Sequence, residues 1–393
     1  MPKTTARKSL AILGTRGVPA RHGGFETFAE RLALHLVKVG WQVTVYCQEE
    51  GQPGSIRTDR WEGIDRVVIP VGRTGALGTI SFDWRSVRHV LQSNYDLVLT
   101  LGYNTAIFCA PYRFSRITNV INMDGIEWKR DKWKTHERLW LWFNERIGCI
   151  VGNHLIADHP DIATHLATRV SRDKITMIPY GADPIHAANI DDLQKLGLQP
   201  FNYFTIIARP ERENSILEIV KAFSRKKRDS KLVVLGKYTP DSNSFHREVL
   251  DSASSEVIFP GAIYEKQTLS ALRAYNSAYI HGHTVGGTNP SLVEALGAGS
   301  AVLAHDNSFN RWVAGSKALY FSDEDECEMR IEEIINGNAP LSEMRKSSIK
   351  RHADSFTWDK ILNSYESLLL SLAASASNTA TVESARATSV VGD

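Results

Sequence analysis

Residues 279–306 read "YIHGHTVGGTNPSLVEALGAGSAVLAHD" and hold one complete strand–loop–helix–strand passage. The run "AYIHGH" (278–283) is short, apolar and β-rich, and it enters a Gly-Gly-Thr-Asn-Pro loop. Pro290 and Ser291 fall near the first turn of the helix that follows, a position where proline costs no hydrogen bond. "GAGSAVLAHD" then ends the helix and starts the next strand. Such a passage predicts an anion site, because the N–H groups of Gly287 and Thr288 would point from the positive end of the helix at a diphosphate. Gly286, Asn289 and Ser291 complete the loop. Glu294, about one turn in, is spaced to reach a ribose diol with its carboxylate. His281 and His283 end the strand beside the loop, one suited to a sugar or phosphate and the other to packing behind it.

The same alternation runs through the chain. In the first half, strands are predicted at 10–14, 41–47, 67–71, 96–102, 117–123, 154–158 and 174–181. They restart at 203–209, 231–237, 257–261, 278–283, 301–306 and 318–321. Strands alternating with helical patterns imply parallel sheets wound by right-handed crossovers. Two such series give an α/β protein of two Rossmann-like domains, with ligands expected in the loops after strands. One of these loops, "ARPEREN", carries Arg209, whose guanidinium suits a phosphate. The polar segment 181–200 reads as a linker, "FTWDKILNSYESLLLSLAA" as a last amphipathic helix, and the small, polar end of the chain as irregular. The expected layout is a first domain over 1–185, a second over 186–355, a helix over 356–373 that crosses back to the first domain, and a disordered tail over 374–393.

The first loop, "GTRGVPARHGG" (14–24), has Gly14, Gly17, Gly23 and Gly24 with Arg16, Arg21 and His22 between them. A dinucleotide fingerprint needs G-x-G-x-x-G and an acidic residue at the end of the second strand. Glu49 is roughly placed, but the glycines stand as G-x-x-G and the loop runs too long. A nicotinamide-dependent oxidoreductase is therefore the lesser reading. Arg16, Gly17, Gly23 and Gly24 are expected on the acceptor side.

At 393 residues, 42% hydrophobic and 23% charged, the composition is that of a soluble globular protein. The four cysteines are far apart and form no C-x-x-C pair, which argues against a zinc site or a disulfide framework and for a reducing, cytoplasmic setting. The N-terminus has too short an apolar run for a signal peptide, and no stretch reaches a spanning length, so a soluble or peripheral protein is expected. The net charge of +2 divides into +6 over residues 1–185 and −4 over the rest. "EWKRDKWKTHERLWLWF" (127–143) holds four of the nine tryptophans among five Lys and Arg. It reads either as a surface that docks on an anionic bilayer or as a helix burying its tryptophans. Nucleic-acid binding is not expected. The acidic run at 323–325 reads as a solvated helix face, and no metal is expected. Asp124 in "NMDGIEW" ends a first-half strand, placed either to orient a sugar or to cap the next turn.

"GTRGVPARHGGFETFAERL", "NMDGIEWKRDKW", "RPEREN" and "HGHTVGGTNPSLVEALGAG" together resemble glycosyltransferase family 4. Within it they are similar to a bacterial subgroup of rhamnosyltransferases of capsule and exopolysaccharide assembly. The resemblance covers about residues 8–370. It implies the GT-B fold, two facing Rossmann-like domains with parallel sheets and a cleft between them. It also implies a retaining, metal-independent transfer in which the donor phosphate takes the acceptor proton. The donor would be a nucleotide diphosphate sugar, a substrate rather than a cofactor, with L-rhamnose or another hexose as the sugar. The acceptor would be a glycan or polyprenyl-linked saccharide at the inner face of the membrane. Two positions depart from the family pattern: Gly286 stands where it has a Glu, and Glu213 where it has a phosphate-binding Lys. Arg209, Asp124 and His283 are the candidate catalytic residues; Gly286, Gly287, Thr288, Asn289, Ser291, Glu294, Glu213 and His281 join Arg209 at the donor. A non-catalytic sugar-nucleotide-binding regulator is the other competing reading.

Overall fold

The computed structural model describes residues 7–21, 23–52 and 54–389, the stretch from 376 onward as backbone alone. His22 and residues 390–393 lie outside them. The chain folds as two units. Residues up to 128, 135–178 and 359 onward form the first, and 129–134 with 179–358 form the second.

The first unit contains β1 (Ser9–Leu13), β2 (Gln42–Glu50), β3 (Arg57–Trp61), β4 (Ile64–Val71), β5 (Leu97–Leu101), β6 (Thr118–Asn122), β7 (His154–Ala157) and β8 (Ile175–Met177). They make one sheet in the order β3-β4-β2-β1-β5-β6-β7-β8. All neighbours are parallel except β3 and β4. Leu10, Ala11 and Ile12 alternate faces along β1 yet are all fully buried, so both faces of the sheet centre are covered. The order reverses at β1, which lies between β2 and β5. Gly14 follows immediately at φ +81, and a Cβ there would stand 2.1 Å from the Leu101 carbonyl oxygen. Only glycine lets the chain leave the sheet so close to the end of β5.

β3 was not expected from the sequence. Its exposed residues Arg57, Thr58, Asp59 and Arg60 carry no apolar alternation. It forms a hairpin in which Trp61 pairs with Ile64 across Glu62 (φ +48) and Gly63 (φ +84). Positive φ at both turn residues matches the twist of the strands, and the charged edge resists pairing with another chain.

The second unit contains β9 (Tyr203–Ile207), β10 (Lys231–Leu235), β11 (Val257–Ile258), β12 (Ala278–His281), β13 (Val302–His305) and β14 (Leu319–Phe321). They form an all-parallel sheet in the order β11-β10-β9-β12-β13-β14. The order reverses at β9, between β10 and β12. There a Cβ on Gly282 would fall 2.1 Å from the Asn214 carbonyl oxygen. The segment 181–200 packs on this unit instead of running free. The Ile185 N–H donates to Gly297 O (2.9 Å) and the Tyr275 hydroxyl to Ala188 O (2.7 Å). Its few apolar residues decide this, with Ala182, Leu193 and Leu198 all buried.

The last helix, Trp358–Ser389, is helical through the stretch from 374 that the sequence leaves without periodicity. Ile361, Leu362, Tyr365 and Leu369 are buried at helical spacing. Within the first unit Asn122 Nδ2 donates to the Tyr365 hydroxyl (2.8 Å), the Tyr365 ring lies 4.7 Å from that of Phe28, and Glu366 pairs with His35 (2.7 Å). All four cysteines are buried free thiols.

Candidate functional site

The candidate site of the second unit lies where β9 and β12 diverge. After β9 the chain makes a tight turn closed on the Arg209 carbonyl, which accepts from Asn214 Nδ2 (2.7 Å) and from the Glu211 N–H (2.8 Å). Ser215 then takes a left-handed conformation (φ +47) and starts the helix Ile216–Ser224. From the β12 side, the Thr284 N–H (2.9 Å) and hydroxyl (3.0 Å) both donate to Glu213 O. With Gly282 against Asn214, these bonds lock the two loops into one surface. Arg209 stands on it exposed, and among the described residues no hydrogen bond or ion pair engages its guanidinium.

His281 and His283 stack with ring centroids 4.3 Å apart and planes 7° from parallel. Burial, followed by the Arg130 and Arg209 charges, pushes the His283 imidazole down to about 3. Burial, then the neighbouring His283 and His305, takes His281 well below the ordinary histidine range. Both rings are neutral at physiological pH, so each offers one N–H donor and one acceptor and no charge. Neither nitrogen of His281, nor Nδ1 of His283, has a hydrogen-bond partner among the described residues. The His283 carbonyl is pinned by the side-chain amides of Asn307 (2.9 Å) and Asn310 (2.8 Å).

The loop behaves as its residue types require. Gly286 has φ +137. Asn289 caps the helix Pro290–Gly297, its Oδ1 accepting from the Ser291 N–H at 3.0 Å. Ser291 donates its hydroxyl to Ile207 O (2.8 Å) and lies 2.5 Å from the Tyr279 hydroxyl, so that side chain ties the helix to β9. Thr288 is buried. Gly287 continues the loop into the cap. Glu294 is ion-paired with the buried Arg273, which fixes its carboxylate. Glu213, at the position where the resemblance has a lysine, is itself bound to a cation. Its Oε1 accepts from Arg130 Nε at 2.8 Å and from a second nitrogen of that guanidinium.

In the first unit the loops after β1 and β6 leave the same carboxyl edge of the sheet. The first is held by its own helix, Gly24–Lys38: the Ala20 N–H donates to Glu30 (2.6 Å) and the Arg21 N–H to Glu26 (3.0 Å). Gly23 occupies the helix N-cap, Gly17 lies buried in the loop, and Arg16 is exposed there. Asp124 follows β6 at φ +49, and its N–H donates to Asn122 Oδ1 (3.0 Å), so Asn122 closes that turn. Farther on, Trp128 Nε1 donates to the buried Glu145 (2.7 Å), and the Trp128 carbonyl accepts from Arg138 Nε (3.0 Å). Trp128 is thus a structural tie. The helix Thr135–Val151 instead exposes Leu139, Trp140, Trp142, Phe143 and Ile150.

Two residues escaped the sequence reading: Arg130, named only within a quoted block, and Arg273. Each has a partner elsewhere in the chain, and the one local signal was an acidic residue, Glu213, in a loop after a strand, a place that otherwise suits an anion. Two other acidic features have plain structural partners. Asp323 caps the helix Glu324–Ile335, with Glu324 and Asp325 ion-paired to Arg225. Glu49 is ion-paired with Arg57 of β3. Among the described residues no group of His, Cys, Asp or Glu could hold a metal ion, and no helix is long and apolar enough to cross a membrane.

Comparisons with known proteins agree with this architecture. A family described as "Domain of unknown function (DUF1972)" matches residues 7–183. No protein of curated function matches the chain. Among solved structures it is similar to sucrose-phosphate synthase from Thermosynechococcus elongatus, with TM-score 0.79 and 16% identity over 94% of this chain and 100% of that one. It is also similar to HepE of Anabaena in complex with UDP and glucose (TM-score 0.73, 14% identity, 93% and 100%). A third is the α,α-trehalose-phosphate synthase of Burkholderia xenovorans in complex with glucose-6-phosphate (TM-score 0.71, 10% identity, 93% and 100%). With its two units of parallel sheet and these neighbours, the chain has the GT-B fold of glycosyltransferases.

Proposed function

We propose that the protein is a glycosyltransferase of family 4 type. It moves a hexose, L-rhamnose above others, from a nucleoside diphosphate sugar to a glycan or polyprenyl-linked saccharide in exopolysaccharide, capsule or O-antigen assembly. The observation that carries the reading is the Arg209 guanidinium, exposed and without a partner among the described residues, on the loop after β9 that Thr284 ties to the loop after β12. HepE, similar in fold, is known in complex with UDP and glucose.

The chemistry follows from charge. Breaking the bond between the anomeric carbon and the diphosphate oxygen leaves negative charge on the diphosphate. Preorganised cations and N–H dipoles aimed at that charge lower the barrier most. Arg209 and the amides of Gly287 and Thr288 take this role. His283, neutral, contributes a hydrogen bond to sugar or phosphate. Glu294, held by Arg273, keeps acceptor capacity for a ribose diol. The acceptor hydroxyl gives its proton to the departing phosphate as its oxygen bonds the anomeric carbon with retention. The loop with Arg16, Gly17, Gly23 and Gly24 receives the acceptor, and Asp124 orients a sugar hydroxyl. No metal is required where these groups suffice.

The apolar face of helix Thr135–Val151, with Lys129, Lys132, Lys134, Arg138 and Arg146 around it in sequence, suits the inner surface of an anionic membrane where a polyprenyl-linked acceptor resides. The test of the activity is transfer of radiolabelled sugar from dTDP-rhamnose, UDP-glucose or GDP-mannose to a membrane lipid extract. Label in the lipid fraction supports the reading. No transfer from any of them, with a folded protein, supports the non-catalytic regulator instead.

A further inference from the structure

We propose that the second unit holds a further ligand site, on the edge of its sheet opposite the site described above, which binds a small aromatic carboxylate through Arg345 and Phe201. The inference does not depend on the glycosyltransferase reading.

The segments that lead into β9, β10 and β12 border a cavity of about 230 Å³, closed on its other side by the helices Glu324–Ile335 and Leu341–Ser355. Phe201, Ser230 and Ser277 line it from the strand side, and Ile334, Leu341 and Arg345 from the helices. All strands of this sheet are parallel, so their starts share one edge, and Arg209 and the glycine loop follow strand ends at the other. An apolar cavity of about 150 Å³ is enough to take up benzene. This one has room for such a ring bearing a carboxylate.

Arg345 brings a charge to the cavity that the protein leaves unneutralised. Its guanidinium donates to the carbonyls of Gly299 (3.3 Å), Ser277 (3.1 Å) and Asn276. Among the described residues no carboxylate pairs with it, whereas the buried Arg228 has Glu332 and the buried Arg273 has Glu294. Burial lowers the Arg345 pKa, and the group that opposes this is the neutral Tyr203 hydroxyl. The three carbonyls leave Nε and one hydrogen of Nη1 without an acceptor among the described residues. A cation drawn partly out of water gains most from an anion that meets it there. One positive charge matches a monocarboxylate better than a phosphate dianion.

Phe201 supplies the aromatic wall. Its ring lies 5.2 Å from the Arg345 guanidinium and edge-on to the Tyr275 ring at 6.0 Å, yet the residue is 58% exposed. Its backbone is left-handed (φ +58), a conformation that a bulky residue rarely adopts. Two bonds hold it there: the Phe201 N–H donates to Tyr275 O (2.7 Å), and the Ser277 hydroxyl donates to Phe201 O (2.8 Å). A ring so exposed adds little to the core, so the strain is explained by what the ring does at the cavity. It sets an aromatic face beside the cation.

Fluorine NMR titration of the full-length protein with 4-fluorobenzoate, and with its neutral counterpart 4-fluorobenzamide, tests this. The acid is expected to bind with a Kd of about a millimolar, as suits so small a ligand, and the amide about tenfold more weakly. Excess UDP should leave the acid bound. Arg345→Gln is expected to weaken the acid about tenfold and the amide hardly at all. Because Arg345 also braces three carbonyls, a second variant guards against loss of the fold. Phe201→Gly relieves the left-handed backbone, so its melting temperature should be no lower than the wild type's, while the acid binds about fivefold more weakly. The site is overturned if the wild type binds neither compound, binds both equally or gives up the acid to UDP. It is also overturned if either variant, folded, binds the acid as the wild type does.

Discussion

At the end of β12 burial keeps two stacked imidazoles neutral, so the rings add no positive charge to that of the guanidinium groups near them. Arg209→Ala is expected to lower turnover about a hundredfold or more with an unchanged melting temperature, because it removes an exposed side chain and a transition-state contact. Turnover like the wild type's would take Arg209 out of the mechanism. Asp83 makes a second residue-scale case. It sits on the helix Gly75–Leu91, and burial raises its carboxyl to about 6 against a Thr105 hydroxyl bond (2.7 Å) that pulls the other way. A raised carboxyl means that the folded state holds its proton longer than the unfolded chain does. Stability present below the ordinary value of 3.8 is then lost as pH rises through about 6. Asp83→Asn should therefore stabilise the protein at pH 8, by up to about 3 kcal/mol, and hardly at pH 4. Thermal melts at the two pH values measure this, and equal shifts at both would refute it. Arg209 was legible because it follows a strand. The pairing of Arg130 with Glu213 was not, because the two residues lie 83 positions apart.

At the scale of elements, the helix Thr135–Val151 turns Leu139, Trp142, Phe143, Arg146 and Ile150 along one side at helical spacing, with Leu139, Trp142, Phe143 and Ile150 exposed. Replacing Trp142 and Phe143 together by alanine should abolish sedimentation with anionic vesicles and shift the melting temperature by no more than about 2 °C, since neither side chain supports the core. Intact vesicle binding with a large loss of stability would mean that they are packing residues. The tryptophans of this region were visible in the sequence, but their division was not. Trp128 turns inward to meet Glu145, a buried acceptor 17 residues on, and periodicity does not report such pairs. The strands in the interior of each sheet were legible as apolar runs. β3 escaped because an edge strand that faces solvent has no apolar residues to reveal it.

At the scale of the molecule, each sheet reverses its order beside a first strand, and each reversal is marked by a glycine, Gly14 or Gly282, that admits a neighbouring carbonyl. Alternation of strand and helix was enough to foresee both sheets. The return of the last helix to the first unit depends on Tyr365 meeting Asn122 and Phe28, a tertiary match that pattern alone does not encode. The nucleotide reading predicts a thermal response. A nucleoside diphosphate at 100 times its Kd adds about 2.7 kcal/mol to the folded state. That corresponds to a rise of about 5–11 °C for the unit that binds it. NAD and NADP at the same concentration should give no rise. A shift with a nicotinamide nucleotide and none with UDP, dTDP or GDP would reverse the assignment.

The four thiols have a practical consequence. Burial raises all of them, Cys109 to about 12 and Cys149 to about 11, with Cys47 and Cys327 raised as well. The nucleophile in thiol chemistry is the thiolate, so the native chain should ignore maleimides and mild oxidants and store without reductant. A single cysteine introduced on the surface would then be the one handle that reacts. Fluorophores or spin labels can be attached at chosen points, and distances followed as nucleotides are added, with no need to strip the natural sulfhydryls first.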